Sequence, residues 1–141
     1  INDRRIAVVV DEEHTRVPGN GQAPANLWTF DVTDFNNIQG LGSYHVSEMD
    51  CPWSRTPGAR FGAHQFTDHL ESSVVCATWF AGGLRIVDVA NPSRPEEVGY
   101  FMPEPRAGFA APQSNDCEVD ERGLIYLFDR DKGFDILEFT G

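Results

Sequence analysis

Two polar pairs in the sequence have side chains that could bind a ligand or move a proton. They are His64-Gln65 and Asn115-Asp116, and each pair stands at the start of a predicted β-strand. Imidazole and carboxylate groups bind divalent metal ions and also act as general acids and bases. If the two strand starts are neighbours, His64 and Asp116 come within reach of each other or of one metal ion. In the alternative, structural interpretation, these residues bind water and satisfy exposed backbone groups.

Other candidate residues carry weaker signals. His14 follows an acidic run, where a cation site competes with a solvated turn. His69 is five positions from His64, so in a strand the two side chains point to opposite faces and do not share a metal. Residues 129–133 lack the length and the final glutamate of a calcium loop, and we predict a charged hairpin turn. The sequence contains no HExxH, GxSxG, phosphate-loop or GxGxxG motif.

The composition indicates one acidic domain with many turns. The chain has 141 residues, including 13 Gly and 9 Pro. Its 11 basic and 22 acidic residues give a formal net charge of −11, which disfavours binding to nucleic acid and to anionic lipid. No segment free of Gly and Pro shows sustained helical periodicity, and no apolar run has the length of a transmembrane helix. We therefore expect an all-β protein without a membrane-inserted segment.

The three cysteines, Cys51, Cys76 and Cys117, leave at least one thiol unpaired. Cys76 lies within an apolar run, and we predict that it is a small core residue. Cys51 and Cys117 lie near predicted strand starts and could form a disulfide in an oxidising compartment. No two cysteines have CxxC spacing, which argues against a zinc site.

A strand-turn-strand pattern occurs three times in the sequence. Residues 74–89 align without gaps on residues 124–139, at an offset of 50. Residues 27–34 align on residues 84–91 at an offset of 57, and a longer loop separates them from the preceding strand at 6–10. A period near fifty with about four short strands per unit is typical of propeller blades. The main alternative, a β-sandwich, would not require the strand order to repeat.

We predict one partial β-propeller domain over residues 1–141, with about three four-stranded antiparallel blades. The approximate blades are 5–46, 62–102 and 114–139, the first without its innermost strand and the last without its outermost. Propellers typically close with about four to eight blades, so three would leave two apolar faces exposed. We expect further sequence or a second copy of the chain to complete the ring.

Several segments resemble the LVIVD-repeat family of bacterial β-propeller proteins. The motif that names the family is similar to Leu84-Arg85-Ile86-Val87-Asp88 and to Phe134-Asp135-Ile136-Leu137-Glu138, and more loosely to Trp28-Thr29-Phe30-Asp31. Residues 60–65 and 113–126 are similar to two further segments of the family. The resemblance implies a propeller that is secreted or exposed at the cell surface, in an extracellular or periplasmic location. It implies little about activity, because the family is largely uncharacterised.

We expect this propeller to be a non-catalytic binding scaffold. It has no enzyme motif, and propellers present loops on two faces to protein partners. The longer loops that would form such a contact surface are residues 14–25, 47–62 and 103–113.

The expected ligand site lies at the mouth of the axial channel, which the innermost strand of each blade lines. The expected ligand-binding residues begin two of these strands and are His64, Gln65, Asn115 and Asp116. The alternative hypothesis is a metal-assisted hydrolase or lyase at the same place, in which His64 and Asp116 bind a divalent metal ion or exchange protons. The binding hypothesis requires no cofactor.

Overall fold

The computed structural model describes residue 1 and residues 3–12, 25–68 and 72–141. In these residues the chain is all-β, as predicted, with one 3-10 turn at Glu48–Asp50 and no α-helix. The nine strands are β1 (Ile6–Val10), β2 (Leu27–Asp31), β3 (Gln39–Tyr44), β4 (Val74–Thr78), β5 (Leu84–Asp88), β6 (Glu96–Phe101), β7 (Ser114–Val119), β8 (Leu124–Asp129) and β9 (Gly133–Glu138).

The strands form three antiparallel sheets of three strands each. The first sheet is β1-β2-β3, the middle sheet is β4-β5-β6 and the last sheet is β7-β8-β9. Strands that are consecutive in sequence are neighbours in each sheet. Among the described residues, no helix is long and apolar enough to cross a membrane.

The middle and last sheets share one pairing register. In the β4–β5 pair, Val74 lies opposite Asp88, and in the β8–β9 pair, Leu124 lies opposite Glu138. Each of the five β4–β5 pairs has a β8–β9 counterpart at the offset of 50 found in the sequence. The repeat is therefore a repeat of backbone pairing as well as of residue types.

The first and middle sheets also have β-bulges at corresponding positions. A β-bulge interrupts β2–β3 between Thr29 and Phe30, and a bulge interrupts β5–β6 between Ile86 and Val87. These positions differ by 57, the offset of the second sequence alignment. Bulges re-aim the strand that carries them, so the two sheets bend at corresponding points.

The predicted four-stranded blades are not present among the described residues, because each sheet has three strands. In the middle blade, the strand predicted beside β4 is missing. Residues 64–67, predicted as a strand, lie beside β4, with hydrogen bonds from the His64 amide to the Thr78 carbonyl (2.9 Å) and from the Thr67 amide to the Cys76 carbonyl (3.0 Å). Only one isolated bridge, Phe66 to Ala77, is formed there. The pairing stays irregular because the Thr78 hydroxyl, rather than a ladder carbonyl, accepts the Gln65 amide hydrogen (3.1 Å). In the described part of the chain, the sheets do not form a closed ring.

Strands β4 and β5 of the middle sheet are buried on both faces. One face packs on the first sheet through a cluster that includes Leu27, Val75 and Trp79. The other face packs on the last sheet through a cluster that includes Ile86 and Leu127. Because alternate residues of a strand point to opposite faces, the nearly continuous apolar runs of β4 and β5 suit this position.

Candidate functional site

A polar cluster lies where residues from all three sheets and their connections come together. We call it the junction cluster. It contains one residue after β1, two residues before β4, one residue after β4, one residue in β7 and one residue after β8. These residues are Glu12, Arg60, His64, Phe80, Asn115 and Arg130.

A bulge in β7 places Asn115 in this cluster. Ser114 pairs with Asp129 and Asp116 pairs with Phe128, so Asn115 is the extra residue between them. Its carbonyl is turned out of the ladder and accepts hydrogen bonds from His64 Nδ1 (2.6 Å) and from the Thr78 hydroxyl (3.0 Å). The bulge thus ties the last sheet to the start of the middle sheet.

Both ring nitrogens of His64 face oxygen atoms. Nδ1 donates to the Asn115 carbonyl, and Nε2 lies 3.2 Å from Glu12 Oε1. The side chain is only 6% exposed. A carboxylate accepts and does not donate, so the contact at Nε2 is an ion pair when the imidazole is protonated. Neither nitrogen is open to a metal ion without rearrangement.

Two guanidinium groups lie close to the ring of Phe80. The Arg60 Cζ atom is 3.9 Å from the ring centroid and the Arg130 Cζ atom is 5.4 Å from it. Phe80 has a positive φ of 47°, and its amide and carbonyl both bond to Ser114 (3.1 Å each). Such a conformation persists only where the surroundings hold it, and it turns the ring into the cluster.

Arg60 and Arg130 make different hydrogen bonds. Arg60 Nη2 donates to Glu12 Oε1 at 2.6 Å. Arg130 is exposed, and its Nε donates to the side-chain oxygen of Asn115. The terminal nitrogens of Arg130 make no hydrogen bond to any described residue. Among the described residues of the cluster, the Arg130 guanidinium therefore presents one edge outward.

The other predicted site residues lie around this cluster. The Asp116 carboxylate accepts the Cys117 amide hydrogen (2.9 Å), and no hydrogen bond or ion pair in the described residues joins it to His64. Asp116 is paired with Phe128, whose side chain faces away from the middle sheet. Gln65 is exposed and pairs with Thr78 through its backbone.

Two further predictions concern metal sites. His14 and His69 lie outside the described residues. Within the described ranges, no group of three or more His, Cys, Asp or Glu side chains is arranged to hold a metal ion. Residues 129–133 form the predicted hairpin turn, in which Asp129 Oδ1 accepts the amide hydrogens of Asp131 (2.9 Å) and Lys132 (3.1 Å).

Four residues of the cluster were not predicted from the sequence: Glu12, Arg60, Phe80 and Arg130. One signal was available, because Arg130 occupies the position of Phe80 at the offset of 50. A polar residue that replaces an apolar one in an otherwise matching repeat is a candidate for a role beyond packing.

All three cysteines are buried and free. Cys76 is a core residue, as predicted. Cys51 and Cys117 belong to different apolar clusters on opposite faces of the middle sheet, so they do not form the disulfide that the sequence allowed. Burial raises the pKa of the Cys76 thiol to about 11 and that of Cys117 well above its ordinary value. Neither is a reactive thiolate at neutral pH.

The raised pKa of Cys76 predicts a loss of stability in alkaline solution. The ordinary thiol pKa is 9.0 and the folded value is about 11, so between these pH values the unfolded chain loses its proton first. The free energy of unfolding should therefore fall as pH rises through this window, by an amount on the order of 2 kcal/mol. Urea unfolding at pH 8 and at pH 10.5 measures the change. Cys76→Ala should show a smaller fall, and an identical fall would contradict the assignment to this thiol.

Comparison with known proteins adds no assignment to the site. No protein-family model matches the chain, and no curated protein matches it. A function for the junction cluster has to come from its own residues and geometry.

Proposed function

We propose that the protein is a non-catalytic binding scaffold of the β-propeller type, in which the three sheets are blades. The support is the pairing register that the sheets repeat, together with the packing of the middle sheet on both neighbours. Membership of the LVIVD-repeat family, and a secreted or cell-surface location, are part of this proposal and rest on the resemblance of the sequence motifs.

The observation that carries the binding function is the outward guanidinium of Arg130. Its Nε bonds to Asn115 and its plane lies near the Phe80 ring, so the group is held in place while its terminal nitrogens remain open. A guanidinium edge of this kind binds a carboxylate through two parallel hydrogen bonds. Because the position is fixed before binding, little conformational entropy is lost when a ligand arrives.

The ligand that fits this end of the molecule is a carboxylate group on a protein partner. Arg60 forms an ion pair with Glu12, and His64 is held between Glu12 and Asn115. These three residues form a fixed support beneath Arg130. No observation in the described residues favours the hydrolase or lyase hypothesis over binding.

Arg130→Gln should weaken binding of carboxylate ligands. A hydrogen bond to a charged group contributes about 1.5–3 kcal/mol, so we expect a fall in affinity of about tenfold or more. Titration calorimetry with a short glutamate-rich peptide, and separately with inorganic phosphate, measures this effect. Arg94→Gln is the matched control, because Arg94 is an exposed arginine whose Nε pairs only with Glu96 among the described residues.

The results distinguish three cases. Binding to the wild type that is lost in Arg130→Gln and kept in Arg94→Gln supports the proposal. Equal loss in both variants, or no binding of the peptide by the wild type, contradicts it. Stoichiometric metal in the purified protein that is lost in His64→Ala would support the metal-assisted enzyme instead.

A further inference from the structure

The first and last sheets each present an apolar face to solvent. On the last sheet, Phe128, Phe134 and Ile136 are 40%, 59% and 55% exposed. On the first sheet, Val9 and Trp28 are 43% and 37% exposed and lie directly opposite each other. We call these the last-sheet face and the first-sheet face. Apolar groups that share one side of a sheet are characteristic of a surface that another element covers.

The repeated register shows that the last-sheet face corresponds to a covered surface of the middle sheet. Phe134 corresponds to Leu84 and Ile136 corresponds to Ile86, at the offset of 50. These two residues of the middle sheet are only 1% and 5% exposed, because the last sheet packs on them. The last-sheet face is therefore a second copy of a surface that this fold buries under a neighbouring sheet.

The same comparison applies to the first-sheet face. Trp28 corresponds to Arg85 at the offset of 57, and Val9, its partner in pairing, corresponds to Ala77, the partner of Arg85. Arg85 and Ala77 lie on the side of the middle sheet that packs on the first sheet, and both are buried. The first-sheet face thus corresponds to the other buried side of the middle sheet, which is the side that packs on the first sheet.

Within the described residues, sheets pack by joining the surface that corresponds to the Leu84 side of the middle sheet to the surface that corresponds to its Ala77 side. Where the middle sheet packs on the last, Leu84 and Ile86 meet Ile125 and Leu127. Leu127 corresponds to Ala77 in register. The side of the middle sheet that carries Leu84 therefore packs on the side of the last sheet that corresponds to Ala77. The last-sheet face corresponds to the side of the middle sheet that carries Leu84, and the first-sheet face corresponds to the side that carries Ala77.

Charged groups lie on both faces. Glu118 pairs with Tyr126 and Glu138 pairs with Leu124, which places both acidic residues on the last-sheet face. The first-sheet face carries both signs of charge, because Arg5 precedes β1 on the side of Val9 and the Asp11 carboxylate accepts a hydrogen bond from Trp28 Nε1 at 3.2 Å. Contact between two last-sheet faces would bring their acidic residues together, which disfavours that pairing.

We propose that the last-sheet face of one copy of this chain packs on the first-sheet face of a second copy. This head-to-tail contact repeats the packing that already joins the sheets within one chain. Two copies would supply six sheets, within the range of about four to eight at which propellers close, and an unlike-face contact forms a ring when its rotation closes. The inference rests on register and exposure and does not depend on the ligand proposed for Arg130.

Sedimentation velocity of the chain over a range of concentrations tests this contact. The wild type should associate, and Ile136→Glu on the last-sheet face should be monomeric. Val9→Glu on the first-sheet face should also be monomeric, because every contact needs one face of each kind. A one-to-one mixture of the two variants should recover a dimer, since each variant retains the face that the other has lost.

The matched control is Phe35→Glu. Phe35 is 70% exposed in the turn between β2 and β3, outside both faces, and this variant should associate as the wild type does. Circular dichroism checks the fold of each variant, and Ile136→Thr and Val9→Thr replace any glutamate variant that does not fold.

A wild type that stays monomeric at every concentration overturns the proposal. So does a pair of monomeric variants whose mixture gives no dimer. Association that persists in either Ile136→Glu or Val9→Glu alone also overturns it, because that is the result expected for contact between identical faces. Arg130→Gln should associate normally, so a failure of the ligand proposal and a failure of this one are distinguishable.

Discussion

Gly83→Ala is expected to lower the free energy of unfolding by about 3 kcal/mol or more, because two separate costs coincide at this position. Gly83 has a φ of +75°, a conformation that residues with a Cβ atom rarely adopt. A Cβ atom there would lie 2.3 Å from the Phe101 carbonyl oxygen, which is backbone and cannot move aside. Urea unfolding at fixed protein concentration, followed by far-UV circular dichroism, measures the loss.

Gly123 provides the matched control for Gly83. Its φ is +81°, nearly the same, but a Cβ atom there would meet nothing within 4 Å. Gly123→Ala should therefore show only the conformational cost, about 1 kcal/mol. The difference between the two variants measures the steric contact with β6. Similar losses in both would show that this contact does not control the stability of the hairpin.

The strands could be predicted from the sequence because their signals are local. The apolar runs and the turns between them predicted ten strands, of which nine are present and one, at residues 64–67, forms only an isolated bridge. The offsets of 50 and 57 predicted which residues correspond. Strand ends were less predictable. The apolar run over residues 73–80 predicts one continuous strand, whereas β4 ends at Thr78 because the turn begins at Trp79 and Phe80 has a positive φ.

The junction cluster could be predicted only in part, because its contacts join residues that are distant in sequence. The sequence pointed to His64 and Asn115, and the structure joins them through the Asn115 carbonyl. That contact depends on the bulge in β7, which no pattern of side chains revealed. Glu12 and Arg130 reach the cluster from connections after β1 and β8, so their positions follow from how the sheets pack and not from local periodicity.

The same division between local and long-range information applies to the sheet surfaces. Position in the repeat tells which kind of surface a residue belongs to, but only the packed structure tells whether a neighbouring sheet covers it. Leu84 and Phe134 hold corresponding positions, yet one is buried and the other is more than half exposed. Exposure therefore depends on the number of sheets assembled, and for this reason we expect Trp79 and Trp28 to respond differently to substitution.

Trp79→Ala is expected to lower the free energy of unfolding by about 3–5 kcal/mol, the usual cost of emptying a large aromatic site in a core. Trp79 is fully buried, and its ring meets that of Tyr44 edge to face at 5.4 Å between centroids, which joins the middle sheet to the first. Urea unfolding followed by circular dichroism, at a concentration where the chain is monomeric, measures the loss.

Trp28→Ala is the contrasting variant, since Trp28 lies on the uncovered first-sheet face. Removing a partly exposed ring should change the stability of the monomer by about 1 kcal/mol or less, but it should weaken association, because the lost area belongs to the proposed contact. If Trp28→Ala destabilises the dilute monomer as much as Trp79→Ala does, the first-sheet face is already part of the core. If Trp79→Ala costs little, the two sheets are not held together through this cluster.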